Sequence, residues 1–301
     1  MSSTPVFYNI PEWIEEKKDT FLPPVCNSMM HNLGQMKAFY VGGPNQRKDY
    51  HIEEGEELFY MLKGDMCLKI VEQNKHRDII IKEGEIFLLP GMIAHSPNRV
   101  ADTLGLVIER ERLKEPLEQD GLRYYYEENG KPTLNSLYEK WFYCDDLGTQ
   151  LAPVIKGFFA SEQFKTGKPL PGTIPENPPI TLDSKRKLTD PFSLQEWIKA
   201  NREKIDCDGH KSIFGHDFQF EVDIYGKGEN SGQCDTAEIW IWQLEGSSSV
   251  SSCGKTYDLK KDDSLLIPVG ECYTATRPEG SLALICYQDP RKKARSFKHL
   301  N

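Results

Sequence analysis

Asp49-Tyr50-His51-Ile52-Glu53-Glu54-Gly55-Glu56-Glu57, followed further along by Pro90-Gly91-Met92-Ile93-Ala94-His95, gathers two imidazoles and several carboxylates into one short reach of chain. That is the ligand inventory of a mononuclear metal site. Two histidines and one carboxylate hold Fe(II) on one octahedral face and leave the other positions to a substrate and to dioxygen. A metal-dependent oxygenase site is therefore the first expectation. A lone histidine is more often a hydrogen-bonding residue than a ligand, but two with a carboxylate at this spacing are much less often accidental. Glu53, Glu54, Glu56 and Glu57 compete for the carboxylate role. Glu57 leads directly into the apolar run Leu58 to Leu62 and is the best placed to point inward; the neighbouring acids are read as solvated.

Around this stretch the chain is rich in short β segments. Leu58 to Leu62, Met66 to Val71, Asp78 to Ile81, Ile86 to Leu89 and Leu104 to Glu109 read as strands. Gly64-Asp65 and Lys82 to Glu85 read as hairpin turns between them. Closely spaced strands of this kind predict a sandwich or barrel. Helical spacing is read over residues 10 to 19, with Pro11 in the first turn, and over 134 to 164, which carries Leu137, Trp141, Phe142, Leu151, Val154, Ile155, Phe158 and Phe159. Five prolines between Pro169 and Pro179 disfavour regular structure and mark an interdomain linker. Beyond it, Ser193-Leu194-Gln195-Glu196 is a capping box that predicts a helix to about Lys204. Strands then resume at Phe218 to Ile224, Glu238 to Leu244, Ser264 to Ile267 and Leu282 to Tyr287.

The later strands repeat the earlier ones. Met61-Leu62-Lys63-Gly64-Asp65 parallels Gln243-Leu244-Glu245-Gly246-Ser247, and Ile86 to Pro90 parallels Ser264 to Pro268. In that alignment Gln233, Ile239 and Tyr273 stand where His51, Glu57 and His95 stand in the first copy, so the second copy keeps the fold and loses the metal. Its expected role is packing. The chain divides into a catalytic unit over 1–170, a linker over 171–187 and a degenerate unit over 188–301.

With 301 residues the chain has room for two cores. A formal charge of −9 argues against nucleic acid, whose binders need a basic face. Eight cysteines are scattered without a C-x-x-C pair, and no apolar leader or bilayer-length apolar run is present. The expectation is a cytoplasmic protein with reduced thiols and no membrane partner. Arg99, four residues after His95, has the fork geometry to hold a carboxylate, with a surface arginine as the plain alternative. The same alternative applies to Arg47, and Glu109 opens the charged run Glu109-Arg110-Glu111-Arg112, which reads as a solvated exit from a sheet. His31, His76, His210, His216 and His299 lack a partner motif and are read as ordinary polar residues.

The pattern Gly43-x5-Asp49-x-His51-x5-Glu57-x6-Gly64, then Gly84-x5-Pro90-x4-His95-x3-Arg99, resembles the two cupin motifs. Asp49 stands where the general pattern has its first histidine, Met92 where it has a second glycine and Arg99 where it has asparagine. Those departures match one family. Gly42 to His51, Glu85 to Pro90, His95-Ser96-Pro97, Glu139 to Cys144 and Trp240 to Gly246 resemble the 3-hydroxyanthranilate 3,4-dioxygenases, in the animal-type form where one polypeptide holds an active and a degenerate cupin. The resemblance implies an all-β-dominated fold of two jelly-roll barrels in tandem with flanking helices. It implies His51, Glu57 and His95 as ligands to Fe(2+), with Arg47 toward oxygen and Arg99, Glu109 and Glu57 toward substrate; Arg47 and Glu109 also take catalytic roles. It further implies ring opening of 3-hydroxyanthranilate by O2 to 2-amino-3-carboxymuconate semialdehyde. That product closes to quinolinate, a precursor of NAD in the kynurenine pathway. A monomer is expected, because the second unit covers the face a dimer partner would bury. The competing readings are a zinc or manganese cupin hydrolase or isomerase, and a ligand-binding bicupin without catalysis.

Overall fold

The computed structural model describes residues 4–23 and 26–292, with the backbone alone at Leu147 and Gly148. His299 lies outside the described residues. Four antiparallel sheets make two barrels. In the first barrel one sheet runs, in spatial order, Phe192–Ser193, Glu85–Leu89, Glu57–Lys63, Leu104–Arg110, Met36–Gly42 and Asn27–His31. The facing sheet runs Lys131–Phe142, Asp120–Glu128, Tyr50–Ile52, His95–Arg99, Met66–Glu72 and Lys75–Ile81. The second barrel repeats the arrangement over residues 210–288, with Val6–Asn9 added at one edge.

Side-chain alternation along the strands decides what each face meets. On Glu57–Lys63, Leu58, Tyr60 and Leu62 face the second barrel, whereas Phe59 and Met61 face the interior of the first. On Leu104–Arg110, Leu106 and Ile108 face outward and Val107 inward. The outward set joins Phe220, Val222, Trp240, Trp242 and Leu284 of the second barrel in one continuous apolar layer, closed by Ile10 and Trp13 from one helix and Leu194, Ile198 and Ile205 from another. The barrels thus share a core. They also exchange edges. Val6–Asn9 pairs with Asp263–Ile267 of the second barrel, and Phe192–Ser193 pairs with Glu85–Leu89 of the first.

The turns at Gly64-Asp65 and Lys82 to Glu85 are not hairpins. The strands on either side of each lie in opposite sheets, so both turns carry the chain over a corner of the barrel. The two-residue hairpins are at Gln73-Asn74, Asn129-Gly130 and Cys253-Gly254, where both residues have positive φ as a type I′ turn demands. The expected helix over 134 to 164 is half right. Lys131–Phe142 is a strand and only Leu147–Ala160 and Glu162–Thr166 are helical. Pairing of Lys131–Phe142 with its neighbour shifts register twice near Tyr125, and such bulges turn a period of two into a spacing that imitates a helix. The serine half of the capping box is in place: the Ser193 side chain accepts from the Glu196 N–H, and the helix Leu194–Asp208 ends on Gly209 in the left-handed region. The proline-rich stretch forms no helix or strand, yet Ile180 and Leu188 after it are buried against the first barrel.

Candidate metal centre

His51 and His95 are register partners on adjacent antiparallel strands. Directly opposed residues project to the same face, and the two rings sit 5.2 Å apart. Glu57 reaches them from the facing sheet, on the inward phase of its strand with Phe59 and Met61. The loops next to these residues touch: the Met92 N–H donates to the Glu53 carbonyl at 2.7 Å. A Cβ on Gly91 would lie 2.3 Å from the Glu54 carbonyl oxygen, so glycine is required there. Met92, where the general motif has glycine, keeps a left-handed φ of 62°.

Donor atoms of His51, Glu53, Glu57 and His95 lie within 4.8 Å of one another, all buried, and among the described residues no other such group of histidines, cysteines and acids occurs. The polarity of the contacts calls for a cation. His95 Nδ1 is 3.0 Å from the Ile93 carbonyl, which only accepts, so Nδ1 carries a hydrogen and Nε2 is left to meet Glu57. Nε2 lies 2.6 Å from Glu57 Oε1. The two atoms hold that distance across a proton or a metal. At His51, Nε2 is 2.7 Å from Asp120 Oδ2, while Nδ1 faces Glu53 and Glu57, each at 3.7 Å. Burial opposes a charge on His51, but Asp120 and Glu57 push its pKa up to about 9. Burial likewise opposes ionisation of Glu57, and His95 and His51 hold it well below the usual carboxylate range. A divalent metal satisfies all of these groups at once, so the donor set fits a metal cofactor.

Behind the cluster lies an ionic network. Arg112, buried, sits 2.9 Å from Glu53, 3.1 Å from Glu109 and 2.8 Å from Asp120. Asp120 fixes the His51 ring, as a carboxylate does for many metal-binding histidines. The reading of Glu53 and Glu56 as solvated acids is wrong: both are buried, Glu53 against Arg112 and Glu56 accepting from the Phe220 N–H. The run Glu109 to Arg112 is not a solvated exit either. Only Glu111 is exposed, while Arg110 forks onto Glu118 at 2.6 and 2.8 Å. Neither Asp120 nor Arg112 was singled out from sequence. Asp120 lies 25 residues past His95 on a strand whose register with Tyr50–Ile52 alone brings it near, and no local motif marks it.

A cavity of about 120 Å³ opens onto the cluster, lined by Arg47, His51, Glu57, His95, Arg99 and Glu109 at its polar end and by Phe39, Val41, Phe59 and Val107 along an apolar wall. An engineered apolar cavity of roughly 150 Å³ admits one benzene ring, so this space is on the scale of one ring and no more. Arg99 is 2 % exposed, and its Nε and Nη2 have no hydrogen-bond partner in the protein. Burial pulls its pKa down to about 10, with Glu57 opposing. Arg47 is tied through Nε to Asp49 at 2.9 Å. Burial raises the pKa of Glu109 and Arg112 draws it back. Of the other histidines, His31 is buried with Nε2 unpartnered, while His76 bonds the Thr133 carbonyl at 2.8 Å. In the second barrel, Ile239 and Tyr273 fill an apolar interior and Gln233 bonds the Gly270 carbonyl.

Two barrels, one with a His/Glu cluster beside a ring-sized cavity, define a double-cupin metalloenzyme. Salicylate 1,2-dioxygenase from Pseudaminobacter salicylatoxidans shares the fold, with a TM-score of 0.60 at 13% identity over 98% of this chain and 86% of that one. The family described as 3-hydroxyanthranilic acid dioxygenase matches residues 1–159. Curated 3-hydroxyanthranilate 3,4-dioxygenases are similar along nearly the whole chain: that of Xenopus laevis is 52% identical over 94% of this chain and 97% of its own length, and that of Homo sapiens 50% over 93% and 96%. The chain belongs to the 3-hydroxyanthranilic acid dioxygenase family and is a ring-cleaving dioxygenase.

Proposed function

We propose that this chain opens the ring of 3-hydroxyanthranilate with O2 to give 2-amino-3-carboxymuconate semialdehyde, using Fe(II) held by His51, Glu57 and His95. The observation that carries the substrate assignment is Arg99. A buried guanidinium with two unpartnered nitrogens, facing a ring-sized cavity, is a receptor for one carboxylate. Curated relatives named for 3-hydroxyanthranilate at about half identity support the same choice.

In this reading Arg99 grips the substrate carboxylate, and the apolar wall holds the ring flat and excludes water. Glu109 lines the cavity, where burial raises its pKa and Arg112 draws it back, and it is the group placed to accept the proton of the ring hydroxyl. Arg112 keeps it oriented. Arg47, steadied by Asp49, presents positive charge on the oxygen side. Fe(II) would supply a chelating point for the hydroxyl and amino groups and an electron path that overcomes the spin barrier of dioxygen. Glu53, though within reach of the cluster, is engaged by Arg112 and is left out of the ligand set.

We also propose that residues 1–170 carry catalysis, 171–187 link, and 188–301 form the metal-free unit, in a monomer of the cytoplasm. The shared apolar layer supports the monomer, and no described helix is long and apolar enough to cross a membrane. The ligand assignment is tested by His51→Ala, Glu57→Ala and His95→Ala: each should lose bound iron and turnover together. Full iron occupancy with normal turnover in any one removes that residue from the set.

A further inference from the structure

We infer that the second barrel does more than pack: through Gln219 it positions the loop that joins His51 to Glu57. This inference rests on the metal reading above. The loop Glu53 to Glu56 carries no helix or strand, so its shape depends on what its polar groups meet. On one side the Met92 N–H donates to the Glu53 carbonyl. On the other, three donors come from the second barrel. Gln219 Nε2 donates to the Glu54 carbonyl at 2.9 Å, the Phe220 N–H donates to Glu56 Oε2 at 2.9 Å, and Gln288 Nε2 donates to the Glu56 carbonyl at 3.1 Å.

The donors are themselves rigidly held. Phe220 and Gln288 are register partners in a central strand pair, and the Asp289 N–H donates to the Gln219 carbonyl. Gln219 is completely buried and uses both ends of its amide: Oε1 accepts from Arg110 Nε at 3.0 Å, and Arg110 is the chain neighbour of Glu109. One side chain of the metal-free barrel thereby ties the ligand loop to the strand bearing Glu109. Gln219 is a positioning residue.

The test is competition for Co(II) and Fe(II) against a chelator, with the Co(II) absorption spectrum, on full-length protein. Gln219→Leu should weaken metal retention on the order of tenfold, the lower end for residues that orient ligands, and should alter the spectrum. Gln243→Leu is the control, since Gln243 is equally buried but bonds only within its own barrel. It should lower the melting temperature and leave metal retention at the parent value. If Gln219→Leu fails to fold, Gln219→Glu decides, because it keeps the acceptor for Arg110 and sets a carboxylate oxygen against the Glu54 carbonyl in place of the donor. Parental affinity and spectrum in the soluble Gln219 variant overturn the inference, as does an equal loss in Gln243→Leu. A parent chain that holds no metal sinks the metal reading itself.

Discussion

Arg99 and His31 are both buried with nitrogens that lack partners, and their neighbourhoods give the two different meanings. Arg99 opens on the cavity beside the His/Glu cluster, whereas His31 lies near the Tyr8 ring, 5.4 Å away, between the barrels. If Arg99 grips a carboxylate, Arg99→Ala should keep iron and lose roughly 2 to 5 kcal/mol in kcat/KM, the range for breaking a buried charge pair. The loss should disappear with 2-aminophenol, which lacks the carboxylate. Equal losses for both compounds would move the anchoring role to Arg47. For His31, burial lowers the pKa from 6.5 to about 4. The native state resists a proton that the unfolded chain binds, so this residue's contribution is complete above pH 6.5 and is lost as pH falls toward 4. At pH 5 the loss is on the order of 2 kcal/mol. Urea midpoints at pH 7 and pH 5 should therefore converge in His31→Leu, and an unchanged gap would refute the assignment.

The helix Leu194–Asp208 and the strand Glu57–Lys63 were legible from sequence because each carries a local signal: a capping box in one, an inward carboxylate heading an apolar run in the other. Ser193→Ala should cost about 1 kcal/mol of stability through the lost cap while leaving iron content alone; a change in iron content would show that this helix governs the site. Elements whose meaning depends on partners read poorly. Gly64-Asp65 has turn chemistry, but only the sheet topology reveals that it crosses a corner of the barrel and is not a hairpin. Lys131–Phe142 mimics a helix because bulges disturb its alternation. His51, Glu57 and His95 stand in recognisable motifs, whereas Asp120 and Arg112 reach the cluster through register across distant strands. The buried state of Glu53 escaped the sequence reading for the same reason.

At the scale of the whole molecule, the two barrels share one apolar layer, exchange edge strands, and meet at the loop from Glu53 to Glu56. Removing residues 188 to 301 would expose Tyr40, Leu58, Leu106 and Ile108 to water and strip Phe192–Ser193 from the first barrel's sheet. The truncated chain should aggregate on size-exclusion chromatography; a soluble, monomeric and fully active fragment would show that the second barrel is dispensable. The central claim is that the cluster in the first barrel performs iron-dependent cleavage of a carboxylated aromatic ring. It is tested most directly by oxygen uptake with 3-hydroxyanthranilate on chelator-treated protein before and after Fe(II) is restored. The account predicts no uptake without metal and, with Fe(II), one O2 consumed for each 3-hydroxyanthranilate opened. Uptake that survives complete metal removal, or none after Fe(II) has been shown to bind, would contradict it.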